Sequence, residues 1–161
     1  MPSKYAKNTS VAVGRTKAEI EKTLRKYEAD NIVFGESKKL SKAFVQFEYR
    51  KLNIEITIRL PDSGEKRFWR TPSGRKTRTL DQATIEWGKA CRQQWRVLLL
   101  LIKAQLEAIE NDVISAQDAF LPWLRLPTGR TLGAEISPHI ESMIKTGNVP
   151  KLLAFEEAKE Q

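Results

Sequence analysis

Residues 43–60 read AFVQFEYRKLNIEITIRL. In the second half of this stretch Leu52, Ile54, Ile56, Ile58 and Leu60 are apolar, and Asn53, Glu55, Thr57 and Arg59 between them are polar. Alternation with a period of two puts one set of side chains on each face of a strand, so the pattern predicts a half-buried β-strand. Ala43 to Tyr49 behaves the same way, with Val45, Phe47 and Tyr49 on one side and Gln46 and Glu48 on the other. Only Arg50 and Lys51 separate the two runs. A connection that short joins neighbouring antiparallel strands, so the pair is a hairpin.

Working outward, Asn31-Ile32-Val33-Phe34-Gly35 is β-branched and aromatic and predicts a further strand. Before it, Thr16-Lys17-Ala18-Glu19 has the spacing of a capping box, and Ile20, Leu24 and Tyr27 form one apolar stripe. A first helix is expected over 17–29. On the other side, Pro61-Asp62-Ser63-Gly64 predicts a turn, and Lys66 to Thr71 a fourth, edge strand whose cations deter pairing with other chains.

Thr79-Leu80-Asp81-Gln82 is a second capping box. From it a stripe runs through Ala83, Trp87, Ala90, Cys91, Trp95, Leu98, Leu99, Ile102, Leu106 and Ile109, predicting one helix over 80–110. Val97 to Ile102 is apolar on every side, so this section is expected to be buried all round, between the sheet and a second cover. Ser115 and Asp118 open a short helix that Pro122 ends. Two short apolar pieces then flank the Pro127-Thr128-Gly129 turn. Ser137-Pro138 is read as the start of a last helix, with Gly147 as its stop.

The expected fold is therefore α+β: an N-terminal helix, a three- to four-stranded antiparallel meander, a long central helix packed on the sheet, and a small helical C-terminal part. The expected organisation is a flexible 1–15, a single domain over 16–155 (core 16–110, helical part 111–155), and a frayed 156–161.

Residue types narrow the chemistry. The 161 residues include one His and one Cys, so neither a zinc site of the usual kinds nor an internal disulfide is expected. Cys91 falls on the apolar stripe and reads as a small core residue, and His139 reads as a surface or half-buried residue without a catalytic role. No glycine-rich phosphate loop occurs. The remaining enzymatic option is a magnesium-dependent nuclease using Glu36-Ser37-Lys38 with Asp62 and Glu65. Those acids fall in turns rather than at the end of a central strand, which weighs against it. The reading thus assigns no catalytic residue, no metal and no cofactor. The opening MPSKYAKNTS lacks the apolar segment of a secretory signal, and Val97 to Ile102 is too short to span a bilayer. A cytoplasmic protein without membrane contact is expected.

Charge is more informative. The net charge is +8, but residues 1–104 carry 23 Lys/Arg against 11 Asp/Glu, and residues 105–161 carry 5 against 9. A basic half joined to a mildly acidic half favours a polyanion on one side. The densest stretch is EKRFWRTPSGRKTRTLDQ, residues 65–82, with Lys66, Arg67, Arg70, Arg75, Lys76 and Arg78. Phe68 and Trp69 lie among them. If the stretch is extended, one ring points in and the other out, and an outward Trp69 can stack a base. The alternative is that both rings pack under the loop. Lys89, Arg92, Arg96 and Lys103 share a helix face directly after this loop, so loop and ridge can form one basic groove. Lys38, Lys39 and Lys42 add charge that the sequence does not place.

Three stretches carry a resemblance: RTKAEIEKTLRKYEADNIVFG (15–35), EWGKACRQQWRVLLLLIKAQLEAIE (86–110) and LPTGRTLGAEISPHIESMI (126–144). Together they resemble a family of small proteins of bacteriophages, prophages and bacterial mobile elements. The resemblance covers most of the chain and implies an intracellular, phage-related setting. It supplies no catalytic or binding residue. The order helix, three strands, long helix is also loosely similar to the core of single-strand annealing proteins, at the level of fold alone.

The sequence therefore points to a non-enzymatic, sequence-tolerant nucleic-acid-binding protein. DNA or RNA is the expected partner, single-stranded in preference. Its contacts are expected at Lys66, Arg67, Trp69, Arg70, Arg75, Lys76, Arg78, Lys89, Arg92 and Arg96. The alternative of a different class is a protein-interaction module, binding a protein partner or forming a homo-oligomer through the long helix.

Overall fold

The computed structural model describes residues 12–37 and 39–147. Three strands, β1 (Asp30–Ser37), β2 (Lys42–Tyr49) and β3 (Leu52–Arg59), form an antiparallel sheet in sequence order. The hairpin has the register that its two-residue turn dictates, with Tyr49 opposite Leu52, Phe47 opposite Ile54 and Val45 opposite Ile56. Arg50 and Lys51 both take positive φ, 48° and 66°. The tight turn demands that backbone to match strand twist, although neither residue favours it.

Helix α1 (Val13–Lys26) and the 31-residue α3 (Leu80–Glu110) cover the inner face of the sheet. At 1.5 Å per residue α3 is about 46 Å long. Its buried side chains Trp95, Leu98, Leu99, Ile102, Leu106 and Ile109 meet Ile20 and Leu24 of α1 and Val45, Phe47, Ile54 and Ile56 of the sheet. Beyond α3, α4 (Ala116–Phe120) inserts Phe120 edge-on against Phe47, at 5.7 Å between ring centres, and against Tyr49 at 6.2 Å. A single 3-10 turn, Leu121–Trp123, leads to Leu124, which bridges Ile54 and extends the sheet edge beside β3. Helix α5 (Leu132–Thr146) then packs on that turn and buries no residue of its own. The architecture is α+β as expected. Among the described residues no helix is long and apolar enough to cross a membrane.

Four local expectations are corrected. First, α1 begins at Val13 and Thr16 is not its cap. Thr16 lies inside the helix, buried, with its hydroxyl turned back to the Ala12 carbonyl. Glu19, its expected partner, is drawn instead to cations of α3.

Second, Lys66–Trp69 is a helical turn, α2, and not an edge strand. The Asp62 carboxylate accepts from the Gly64 N–H, and the Glu65 carboxylate accepts from the Asp62 N–H, which curls the chain before it can extend. The curl also lets Phe68 drop into a buried position while α2 packs on α3.

Third, Val97–Ile102 is not buried all round. Leu98, Leu99 and Ile102 are, but Val97 and Leu100 stand 37% and 44% exposed. The sheet and α1 cover the inner part of the helix and leave its outer side bare.

Fourth, α5 starts at Leu132 with Thr131 as its cap, and Pro138 sits inside it. A proline there has no N–H for the Ala134 carbonyl one turn back. The Arg130 guanidinium donates to that carbonyl instead, at 3.2 Å. Gly147 ends the helix in the left-handed region, as expected. The expected frayed tail, 156–161, and most of the expected flexible start, 1–15, lie outside the described residues, as does Lys38.

Candidate nucleic-acid interface

The segment joining β3 to α3 is folded, although turn formers and cations dominate its sequence. Three anchors hold it. The Trp87 indole N–H donates to the Pro61 carbonyl at 2.8 Å, tying the segment's start to α3. The Trp69 indole N–H donates to the Ser63 carbonyl at 2.9 Å, closing the curl. At its end the Thr79 hydroxyl accepts from the Gln82 N–H while the Gln82 side chain accepts from the Thr79 N–H, the reciprocal capping box that its spacing predicted.

Between these anchors, residues 70–77 form a small hairpin. Arg70 bridges Thr77, the Thr71 N–H donates to the Lys76 carbonyl at 3.0 Å, and Gly74 turns at φ +71°. Arg78 organises its base. Its Nη1 lies within 3.0 Å of the Arg67 carbonyl, 3.2 Å of the Phe68 carbonyl and 2.6 Å of the Arg70 carbonyl. Arg67 and Phe68 belong to α2 and Arg70 directly follows it, and a four-residue helix leaves most of its carbonyls without internal donors.

The expected contacts therefore separate by role. Lys66, Arg70, Arg75 and Lys76 are exposed and have no acidic partner among the described residues. Arg67 is exposed but pairs with Glu65 at 2.6 Å and lies 4.7 Å over the Phe68 ring. Arg78 is committed to the backbone. The two rings resolve as one in and one partly out: Phe68 is buried, and Trp69 is half-buried with its N–H engaged. They do so on a helical turn rather than on an extended strand.

The ridge on α3 is occupied from within. Glu19 of α1 accepts from Arg96 at 2.6 Å and from Lys103 at 3.0 Å. Hydrogen bonding from Lys103, then from Arg96, holds the Glu19 carboxyl below the usual carboxylate range, and burial opposes this weakly. Lys89 pairs with Glu86 at 2.7 Å, which likewise lowers the Glu86 carboxyl. Arg92 is half-buried and also engaged. On the ridge, Arg96 and Lys103 clamp α1 onto α3.

The residues considered for catalysis are likewise engaged or apart. Glu36 pairs with Lys17 at 3.6 Å. Asp62 and Glu65 stabilise the turn described above, and among the described residues no group of three or more His, Cys, Asp or Glu could hold a metal ion. Cys91 is buried, which pushes its thiol up to about 11. His139 is exposed on α5.

The sequence left Lys39 and Lys42 unplaced. Lys42 is the first residue of β2 and lies directly opposite Arg59. That pairing was available by counting outward from the Arg50-Lys51 turn. At the far end of α3, Glu28, Glu107 and Glu110 line a cleft of about 690 Å³ together with Lys26, Arg50, Tyr27 and Tyr49. No protein-family profile, curated protein or solved structure matches this chain.

Proposed function

We propose that this protein binds nucleic acid without sequence preference, through the folded basic segment between β3 and α3. The observation that carries the reading is the state of Lys66, Arg70, Arg75 and Lys76: four exposed cations on a segment of eleven positions, none with an acidic partner among the described residues. Cations that serve the fold are usually tied to acids or carbonyls, as Arg67, Arg78, Lys89 and Arg96 are here. Those left over, Lys66 on α2 and the other three on the hairpin, are carried by pre-formed backbone and meet phosphates at small ordering cost. Sequence-tolerant binding follows, because phosphate contacts position without reading bases. A phage or mobile-element setting is part of this proposal.

The test is titration of a labelled oligonucleotide at two salt concentrations against wild type and an Arg70→Gln/Arg75→Gln/Lys76→Gln variant. Loss of three phosphate contacts should lower the log–log salt slope by about 2 for single strands. Arg78 is left intact because its loss would disturb the hairpin. Wild type that fails to bind at low salt, or a variant with an unchanged slope, removes this reading.

A second reading, self-association, is favoured by the bare Val97 and Leu100 on α3. Light scattering of wild type against a Val97→Asp/Leu100→Asp variant decides it. A monomer in both cases excludes the helix as a seam.

A further inference from the structure

The sheet has a second face, and none of its described residues is buried. Its side chains form rows across the strands: Ser37, Lys42 and Arg59, then Gly35, Phe44 and Thr57, then Val33, Gln46 and Glu55. Two features of the first two rows stand out.

Lys42 and Arg59 are directly opposite one another, exposed, and without an acidic partner among the described residues. Like charges in that relation destabilise a sheet. The acids of the same face lie further along it and are engaged elsewhere. Glu55 accepts from Gln46 at 2.6 Å and faces Arg125 at 3.5 Å, and Glu48 accepts from Asn31 at 2.9 Å.

In the next row, the Phe44 ring lies over Gly35. A Cβ at Gly35 would stand 2.2 Å from two ring atoms, so only glycine lets the ring lie there. Phe44 is half-buried, while the hydrophobic core lies on the opposite side of β2. A ring across a strand glycine helps the sheet by covering bare backbone. That accounts for the ring's position but not for the two cations beside it.

We propose that Phe44, Lys42 and Arg59 form a second contact surface for single-stranded nucleic acid, with the ring stacking a base and the two cations holding adjacent phosphates. The inference rests on the nucleic-acid reading above and extends it to a surface which that reading does not use. Charge complementarity selects the occupant: two unpaired cations beside an accessible ring suit a chain of alternating phosphates and bases. A duplex hides its base faces, so single strands are the form that this surface recognises. The surface also adjoins the basic segment. The Leu60 N–H donates to the Ser41 carbonyl at 2.7 Å, so the chain leaves the sheet for that segment at the edge carrying Lys42 and Arg59.

The experiment compares four proteins on a fluorescent oligothymidylate of about 15 nucleotides and on a duplex of the same length, at about 50 and about 200 mM salt. They are wild type, Lys42→Gln/Arg59→Gln, Phe44→Leu, and the loop variant above. Phe44→Tyr, which keeps a ring, and the melting temperature of each protein serve as controls. Lys42→Gln/Arg59→Gln should reduce the single-strand salt slope by about 1.4. It should also leave the melting temperature unchanged or raised, the opposite of what a structural pair would do. Phe44→Leu should weaken single-strand binding by about tenfold with little effect on the duplex, and Phe44→Tyr should retain it. If the loop variant loses affinity while both sheet variants keep theirs, the sheet surface is overturned and the loop reading stands. If Phe44→Leu acts equally on duplex and single strand, or Phe44→Tyr fails like Phe44→Leu, stacking is overturned. If wild type binds neither oligonucleotide, both readings fall.

Discussion

Glu19 of α1 and Arg96 of α3 are 77 positions apart in the chain and meet at 2.6 Å, with Lys103 closing on the same carboxylate. This clasp links the first helix to the long one on the sheet's inner side. The Glu19 side chain is 37% exposed, so solvent screens it, and Glu19→Gln should cost about 1 kcal/mol, the upper end for exposed pairs. The carboxyl is depressed in the folded protein, so the folded state holds it charged more readily than the unfolded chain does. Its contribution is complete above the ordinary carboxylate value of 4.5 and is lost as pH falls through the lower folded value. A double-mutant cycle of Glu19→Gln with Arg96→Met should show coupling at pH 7 that fades in acid. Coupling of equal size at both ends would contradict the assignment.

Arg78 is the only one of the six cations of residues 65–82 given over to backbone carbonyls, and the hairpin above it depends on this. Arg78→Met leaves the carbonyls of Arg67, Phe68 and Arg70 without their donor. A cost of about 1–2 kcal/mol is expected, since the group is charged but half-exposed. Hydrogen exchange checks it: the amides of Phe68 to Thr77 should exchange faster, with those of α3 beyond its first turn unchanged. Lys76→Met, two positions away, should alter neither.

The sheet and the long helix were legible because each repeats one period over many residues. Alternation from Leu52 to Leu60 and the stripe from Ala83 to Ile109 leave little choice of structure, and α3 runs over 80–110 as its pattern predicts. Short segments were illegible where a distant residue decides. Thr16 and Glu19 have the spacing of a capping box, but Arg96 and Lys103 compete for Glu19. Pro138 looks like a helix start until Arg130 supplies the missing donor. In the candidate site, the identity of the cations could be read but not their commitments. Arg78 and Arg75 look equivalent in sequence, yet Arg78 is tied to backbone carbonyls while Arg75 is exposed without an acidic partner among the described residues, and Lys42 with Arg59 emerges only once the strands are paired.

Arg130 and Pro138 should behave as a compensating pair. Proline inside a helix costs about 3 kcal/mol relative to alanine, and α5 buries no residue with which to offset it. Pro138→Ala restores a donor to the Ala134 carbonyl and should raise the helicity and protection of α5. Arg130→Gln should loosen α5 in the wild-type background and have much less effect alongside Pro138→Ala. Circular dichroism with local hydrogen exchange measures both. Equal effects of Arg130→Gln in the two backgrounds would mean that its ion pair with Glu135, at 3.2 Å, is the whole of its role.

At the far end of α3 the Tyr27 hydroxyl donates to the Glu107 carboxylate, both lining the cleft there. Ionising this phenol would remove the donated proton and set two negative charges together, so its pKa is pushed up to about 12, chiefly by that hydrogen bond. Phenolate absorbance in a Tyr5→Phe/Tyr49→Phe background isolates the group. Its titration should centre near 12 and return toward 10.0 in Glu107→Gln. The stability consequence has a definite sign. A raised folded value means that the unfolded chain ionises first, so the contribution is whole below pH 10 and is lost as pH climbs through 12. Wild type should therefore lose stability over that window faster than Glu107→Gln. Parallel losses in the two proteins would show that the tyrosine and the glutamate are not coupled.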